Sequence, residues 1–331
     1  MPKTTVSDII SSPRFLQYYR EETIKRNALI ASGVVIEDPR IAGMAGSKGA
    51  ATVSLPFWNT LSGSDEVLSD SASLTETALT AGKQIAAILA RGKAITVDEL
   101  ADIRSGADPA QAIAQGWAEF WATREQVALI AILTGILADN DANDGDDLLL
   151  KIYSDAADPA AATQLTGSTF VDAKKKLGDA ARNIVATAMH SDVYHHLQKL
   201  ELISTVRPSA DVEFETFQGR RVIVDDDCPT AAGANSTQYT TYLLGAGAIA
   251  RDAGWPGPDP AFESDRDILA GDTVMTSRQQ FLLHPNGFKF TSASVAGDTP
   301  TNAELEAAAN WDRVLDRKRC AIVGVQHNIA V

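Results

Sequence analysis

Four places in this 331-residue chain carry residues whose types and spacing could do chemistry. In "YLLGAGAIA", 242–250, Gly245, Gly247 and Ala250 match G-x-G-x-x-A, the spacing of a turn that cradles a dinucleotide pyrophosphate. Such a turn must end a strand, open a helix, and be followed about 20 residues on by an acidic residue. The continuation "RDAGWPGPDPAFESDRD" instead puts Gly254, Pro256, Gly257, Pro258 and Pro260 where the helix should run. The favoured alternative is a strand crossing a tight spot, where small residues let another backbone approach. A soluble α/β oxidoreductase using Gly245, Gly247 and Ala250 is the distant reading.

The other three places are weaker. In "MHSDVYHHL", His195 and His196 are adjacent on an expected helix and point in different directions, unlike metal-binding pairs three or four apart. "VDDDC" crowds Asp225, Asp226 and Asp227 beside Cys228; carboxylates so placed could hold a metal or supply an acid. No His or Ser motif adjoins them, and a solvated turn is the simpler expectation. "DNDANDGDD", 139–147, fails as a calcium loop: with Gly145 at position six, Ala142 falls at three and Lys151 at twelve. No catalytic residue, cofactor site or metal site is assigned.

The composition narrows the partners. The chain has 29 Lys/Arg against 43 Asp/Glu, a net charge of −14, and is 45% hydrophobic. That is enough for a large core, and an acidic surface repels phosphate. Residues 1–50 run the other way, with seven Lys/Arg and five Asp/Glu. Cys228 and Cys320 are expected as small buried groups in a reducing compartment. "MPKTTVSDII" shows no secretory pattern. The apolar run "VALIAILTGILA", 127–138, is short for a bilayer span and is expected as a buried helix, with no membrane partner.

These residues must be positioned by an irregular set of elements. Ser12-Pro13 starts a mixed-charge helix, "RFLQYYREETIKRNALI". Gly33, Pro39, Gly43, Gly46 and Gly49 then predict a flexible arm. Residues 51–105 predict a long two-stranded excursion with a polar tip, "SGSDEVLSDSASL", and too few apolar residues for a core of its own. Asp108 caps a helix over 108–138, with Ile113, Trp117, Trp121, Val127, Ile130 and Leu137 at helical spacing. From 167 helices and strands alternate: "STFVDAKKKLGDAARN" a helix, "IVATAMH" a buried strand, and "SDVYHHLQKL" a helix capped by Ser191. "DVEFETF" and "RRVIVDDD" are strands joined near Gly219, and "TTYLLGAGAIA" is one more. Thr301 and Glu304 form a capping box late in the chain.

An arm, a hairpin that cannot stand alone, one buried helix and a siteless α/β region describe a subunit completed by its neighbours. In order and spacing these segments resemble the Hong Kong 97-type major capsid protein of tailed double-stranded DNA bacteriophages. The resemblance is carried by "LGDAARNIVATAMHSDVYHHLQKLELI", "GRRVIVDDDCP", "LLHPNGFKFT" and "NAELEAAANWDRVLDRKRCAIVGVQHN". It implies an α+β fold divided as N-terminal arm 1–50, extended loop 51–105, and peripheral domain with spine helix 106–145. The axial domain follows at 146–270, and C-terminal strands at 271–331 return to the peripheral domain. It further implies a non-enzyme forming the hexamers and pentamers of an icosahedral head. A separate scaffolding protein, a portal and a possible decoration protein are the implied partners. DNA would be enclosed without sequence-specific binding, and the virion capsid assembled in the host bacterial cytoplasm. Encapsulin nanocompartments share that fold and are the alternative. Phe57 and Trp58, with Arg14 and Arg20 of the arm, are the candidate inter-subunit contacts. Phe57 and Trp58 have a second reading, packed beside Trp117 and Trp121 of the same chain.

Overall fold

A helix that is apolar on all sides must be covered on all sides, and the protein is built around one. The computed structural model describes residues 29, 32–47, 51–60, 63–68, 73–76, 78–98, 109–209, 212–254, 262–267, 269 and 271–329. Helix α1, Pro109–Asn143, is 35 residues and therefore roughly 52 Å long. From Ala128 to Leu133, every side chain is buried, as are Ile136 and Leu137. The stretch Phe120–Asn143 is long and apolar enough to cross a membrane by length and composition, contrary to the count from the 12-residue run alone. Most of it is covered by protein instead. The helix also outruns its expected end at 138. Asn140, fully buried, holds the turn that follows: its side chain accepts from Leu148 N at 3.0 Å and donates to Asp147 at 2.8 Å.

Two eight-stranded sheets flank α1. The first has strand order β1-β11-β13-β3-β14-β15, with β2 on β3 and β12 on β13. Its members are β1 (Val35–Glu37), β2 (Thr52–Trp58), β3 (Ala81–Asp98), β11 (Ile249–Gly254), β12 (Phe262–Asp267), β13 (Asp272–Pro285), β14 (Phe288–Phe290) and β15 (Trp311–Arg313). The excursion expected over 51–105 is thereby corrected. Only residues 81–87 return along β2, from Trp58↔Ala81 to Thr52↔Ala87. Residues 88–98 pair with β13, Ile88↔Leu282 to Asp98↔Asp272, in a ribbon that β12 extends. The second sheet has order β4-β16-β10-β5-β8-β7-β6, with β9 on β10. These are β4 (Leu149–Lys151), β5 (Ile184–Met189), β6 (Ile203–Ser209), β7 (Val212–Phe217), β8 (Arg220–Val224), β9 (Thr230–Ala232), β10 (Thr237–Gly245) and β16 (Ile322–His327).

Chain order and spatial order part company here. β11 and β12, placed by sequence in the axial segment 146–270, belong to the first sheet. β16, placed among strands returning to the periphery, lies inside the second sheet between β4 and β10. "TTYLLGAGAIA" is two strands in different sheets rather than one. The described part of the arm is packed, not loose: β1 runs parallel to β11, and Ile41 and Ala45 are buried with Ile88, Ala250 and Leu282. Leu29 is fully buried in the main core. Residues 1–28, the cap at Asp108, and the contacts Arg14 and Arg20 lie outside the described residues.

Helix ends follow local chemistry. The helix expected over 168–183 stops early: α2 (Gly167–Lys175), opened by a capping box between Thr166 and Thr169, gives way to a 3-10 turn at Gly178–Asn183. Gly178 sits at φ +59° at that break, a conformation open to glycine. α3 (Ser191–Lys199) is capped by His190, not Ser191; the ring Nδ1 accepts from Asp192 N at 3.1 Å. α4 (Asn302–Glu306) carries the Thr301–Glu304 capping box. α5 (Arg317–Cys320) is capped by Asp316.

Gly135 of α1 is where α4 and β15 press on the helix. A Cβ there would stand 2.0 Å from Leu305 O and 2.6 Å from the Trp311 indole nitrogen, itself donating to Leu305 O at 2.7 Å. Gly135→Ala is expected to destabilise the unassembled subunit by about 1–3 kcal/mol or more, as overpacking does. A thermal melt followed by circular dichroism checks it; an unchanged melting temperature refutes this account of the contact.

Candidate assembly surfaces

The sequence's chemical candidates take structural places. β10 ends at Gly245 and β11 begins at Ile249, with no helix between. A Cβ on Gly245 would lie 2.6 Å from the Ala321 Cβ and 3.1 Å from Asn183 O. Gly247 turns the chain at φ +63°, its amide donating to Gly33 O at 3.1 Å. The glycines let one chain cross between sheets. Asp225, expected in a solvated turn, is buried: its carboxylate accepts from the Gln126 side chain of α1 and from Asp227 N at 2.9 Å. Burial, reinforced by the neighbouring aspartates, pushes the Cys228 thiol well up and keeps it protonated. His190 is a cap, His195 is exposed, and burial lowers the pKa of His196. Among the described residues, no three His, Cys, Asp or Glu side chains converge as a metal site.

The acidic run after α1 is neutralised within the chain. Lys151 pairs with Asp141 and Asp146, and Arg313 with Asp144 and Asp147. Glu125 of α1 takes Arg251 of β11 in a two-pronged contact, tying the helix to the first sheet. Tyr242 of β10 meets Thr134 at 2.9 Å, tying it to the second.

Among the described residues, a group of exposed large apolar side chains lies at the far end of β2 and β3. Trp58 is 69% exposed, Val67 93% and Leu68 81%; Leu74 and Leu79 are also exposed. Phe57 is half-buried over Gly82, where a Cβ would come within 2.5 Å of its ring. Trp121 is elsewhere, donating to Ser277 Oγ on β13 at 2.8 Å and edge-on to Phe120. The exposure of Trp58 runs against the reading that packs it on α1; the Trp117 side chain lies outside the description. Sequence reasoning named Phe57 and Trp58 but passed over Val67, Leu68, Leu74 and Leu79. The available signal was Val67, Leu68 and Leu74 inside a tip otherwise polar, with Leu79 just beyond it.

This architecture has known counterparts. The capsid of Ralstonia phage GP4 superposes with a TM-score of 0.60 at 11% identity, over 90% of this chain and 88% of that one. The capsid asymmetric unit of cyanophage Pam1 gives 0.54 at 12%, over 87% of each. The fold is that of a phage capsid subunit. Residues 57–325 match the family described as Gp13-like, major capsid protein 13-like. The major capsid protein of Bacillus phage SPP1 is 36% identical over 332 residues, 99% of each chain. The chain belongs to the Gp13-like major capsid protein family: it is a bacteriophage major capsid protein, a structural component of the virion and not an enzyme.

The two most deeply buried histidines, His284 and His327, give the subunit a pH signature to which His196 adds in the same direction. His284 hydrogen-bonds Gln84 at 2.8 Å, whose Oε1 also accepts from Gly287 N; His327 meets Thr241 at 2.9 Å. Burial lowers each from 6.5 to about 4, with the Arg40 charge adding to the effect at His284. Between pH 6.5 and 4 the unfolded chain takes up protons that the folded chain refuses. The stability they contribute is therefore complete above 6.5 and is lost as pH falls through that window, up to about 3 kcal/mol for each. The melting temperature of the subunit is expected to drop between pH 7 and 4.5, and less steeply in His284→Gln. An equal slope in that variant would count against His284 as a source.

Proposed function

We propose that this chain builds the icosahedral head of a tailed double-stranded DNA bacteriophage, in the Hong Kong 97-type arrangement. Copies form hexamers and pentamers, with α1 as the spine, the β2–β3 hairpin as the extended loop and the second sheet as the axial domain. The portion 271–321 joins the peripheral part, and β16 completes the axial sheet. A separate scaffolding protein directs closure in the host bacterial cytoplasm, a portal fills one vertex, and a decoration protein can bind outside. DNA is held by enclosure rather than by sequence-specific contact.

The observation that carries this reading is the hairpin tip. Trp58, Val67, Leu68, Leu74 and Leu79 stand exposed on an extension without a core. Covering a large apolar side chain against a neighbour contributes roughly 1.5–3 kcal/mol, and aromatic anchors often dominate such contacts. The net charge of −14 accords with a lining that lets DNA leave. Arg14 and Arg20 are proposed as further contacts, pairing with acidic neighbours.

Negative-stain microscopy of the full chain, expressed with its phage's scaffolding protein, tests the assembly. Closed shells of uniform diameter are expected; only soluble monomer under those conditions would overturn it. The anchor is tested by Phe57→Ala/Trp58→Ala. The isolated subunit is expected to keep its melting temperature and circular dichroism, while shell yield falls. A monomer that itself melts several degrees early would make the pair core rather than interface.

A further inference from the structure

The central strand of the second sheet, β5, has opposite charge at its two ends. At its start stand the end of α2, the 3-10 turn Gly178–Asn183, and α5. Segments 167–183 and 315–320, which supply them, hold seven Lys/Arg and three Asp, in a chain that is otherwise strongly acidic. Lys175, Lys176 and Arg317 line a concavity of about 380 Å³ with Leu150 and Asp172. The carboxylates nearby are mostly spent. Asp179 pairs with Lys318 at 2.9 Å, and Asp316 caps α5 by accepting from Lys318 N at 2.9 Å. Lys151 and Arg313 neutralise the run before β4. Among the described residues, neither Lys175 nor Arg317 forms an ion pair.

At the other end, β5 finishes at Met189 and its parallel neighbour β8 at Val224. There Asp192, Asp226 and Asp227 face solvent, the side chains of Asp192 and Asp226 at 53% and 60% exposure. The His190 ring lies 3.4 Å from Asp192 and 4.0 Å from Asp226; Tyr239 also donates to Asp192 at 3.1 Å, and Ser191 N to Asp226 at 3.3 Å. Asp155, at the same end, is occupied by the amides of Ala234, Asn235 and Ser236. The six residues of β5 keep the two faces roughly 20 Å apart, so one subunit cannot join them.

Rings of copies are built by head-to-tail contacts, which bring two different patches of one surface together, whereas a two-fold contact would set like against like. We propose that the cationic face around Lys175 and Arg317 docks the Asp226–Asp227 end of a neighbouring copy. The inference rests on the shell reading and supplies it with a second, polar contact distinct from the hairpin tip. A copy of this chain suits the face better than DNA does. The face is a small patch on a chain of net charge −14, and the surrounding acidic surface would repel a continuous phosphate backbone.

The test compares four full-length proteins: wild type, Lys175→Glu/Arg317→Glu, Asp226→Lys/Asp227→Lys, and the chain carrying all four changes. Each is expected to melt as wild type; where a reversal melts early, the neutral Lys175→Gln/Arg317→Gln or Asp226→Asn/Asp227→Asn replaces it. Each double variant is expected to yield about tenfold fewer particles by sedimentation and negative stain, and the fourfold variant to recover them, because every contact regains opposite charges. A double variant that assembles as wild type overturns the proposal, as does a folded fourfold variant that stays unassembled. Particles that form normally but lose their DNA would assign the face to nucleic acid instead. If wild type closes no shells, sedimentation velocity still decides. Association that about 1 M NaCl and either double variant abolish, and the fourfold variant restores, sustains the contact. Association indifferent to these changes, or none at all, ends it.

Discussion

The covering of α1 governs the rest of the molecule. Residues 128–133 are buried whichever way they point, so no single sheet or helix could shelter them. The first sheet reaches the helix through Arg251 to Glu125 and Ser277 to Trp121. The second reaches it through Tyr242 to Thr134 and through β16, whose Gly324 leaves room for Leu137 where a Cβ would stand 2.2 Å away. α4 and Trp311 close the remaining side at Gly135. Because the covering pieces come from both ends of the chain, the core forms only when distant segments meet, a topology that folds slowly.

That demand explains why the chain crosses between sheets. The step from β10 to β11 occupies three residues, Ala246 to Ala248, and works because Gly245 accepts Ala321 at contact and Gly247 accepts a positive φ. A spacing suited to binding phosphate is here used to bring two backbones together. The physical requirement, small residues where backbone approaches, is the same in both uses.

Polar groups at the core's margin give register rather than bulk stability. Asp225 with Gln126 fixes the loop after β8 against α1, and Gln84 serves both His284 and Gly287. A buried polar pair is costly to break and of little net benefit against a well-packed apolar one, so its value lies in excluding other alignments. The exposed apolar tip is the converse case. Among the described residues its side chains stand largely exposed, and an extended ribbon buries little of them.

The sequence by itself determined the elements whose signals are local. The helix signalled by apolar spacing, the Thr301–Glu304 box and the turn at Gly219 each express short-range physics, and each stands in the structure. Phe57 and Trp58 were legible as large apolar groups without a core. Only the tertiary structure decided what depends on partners far away in the chain. That β3 leaves β2 after Ala87 to pair with β13, and that β16 enters the second sheet, are choices among edges that no local pattern distinguishes. The arm's glycines look loose because packing on β11 leaves no periodic trace. The burial of Asp225 was hidden because a carboxylate's environment is set by the helix 99 residues away that meets it. The two charged ends of β5 were likewise invisible in sequence: 167–183, 315–320 and 225–227 acquire opposite positions only once the strands between them have paired.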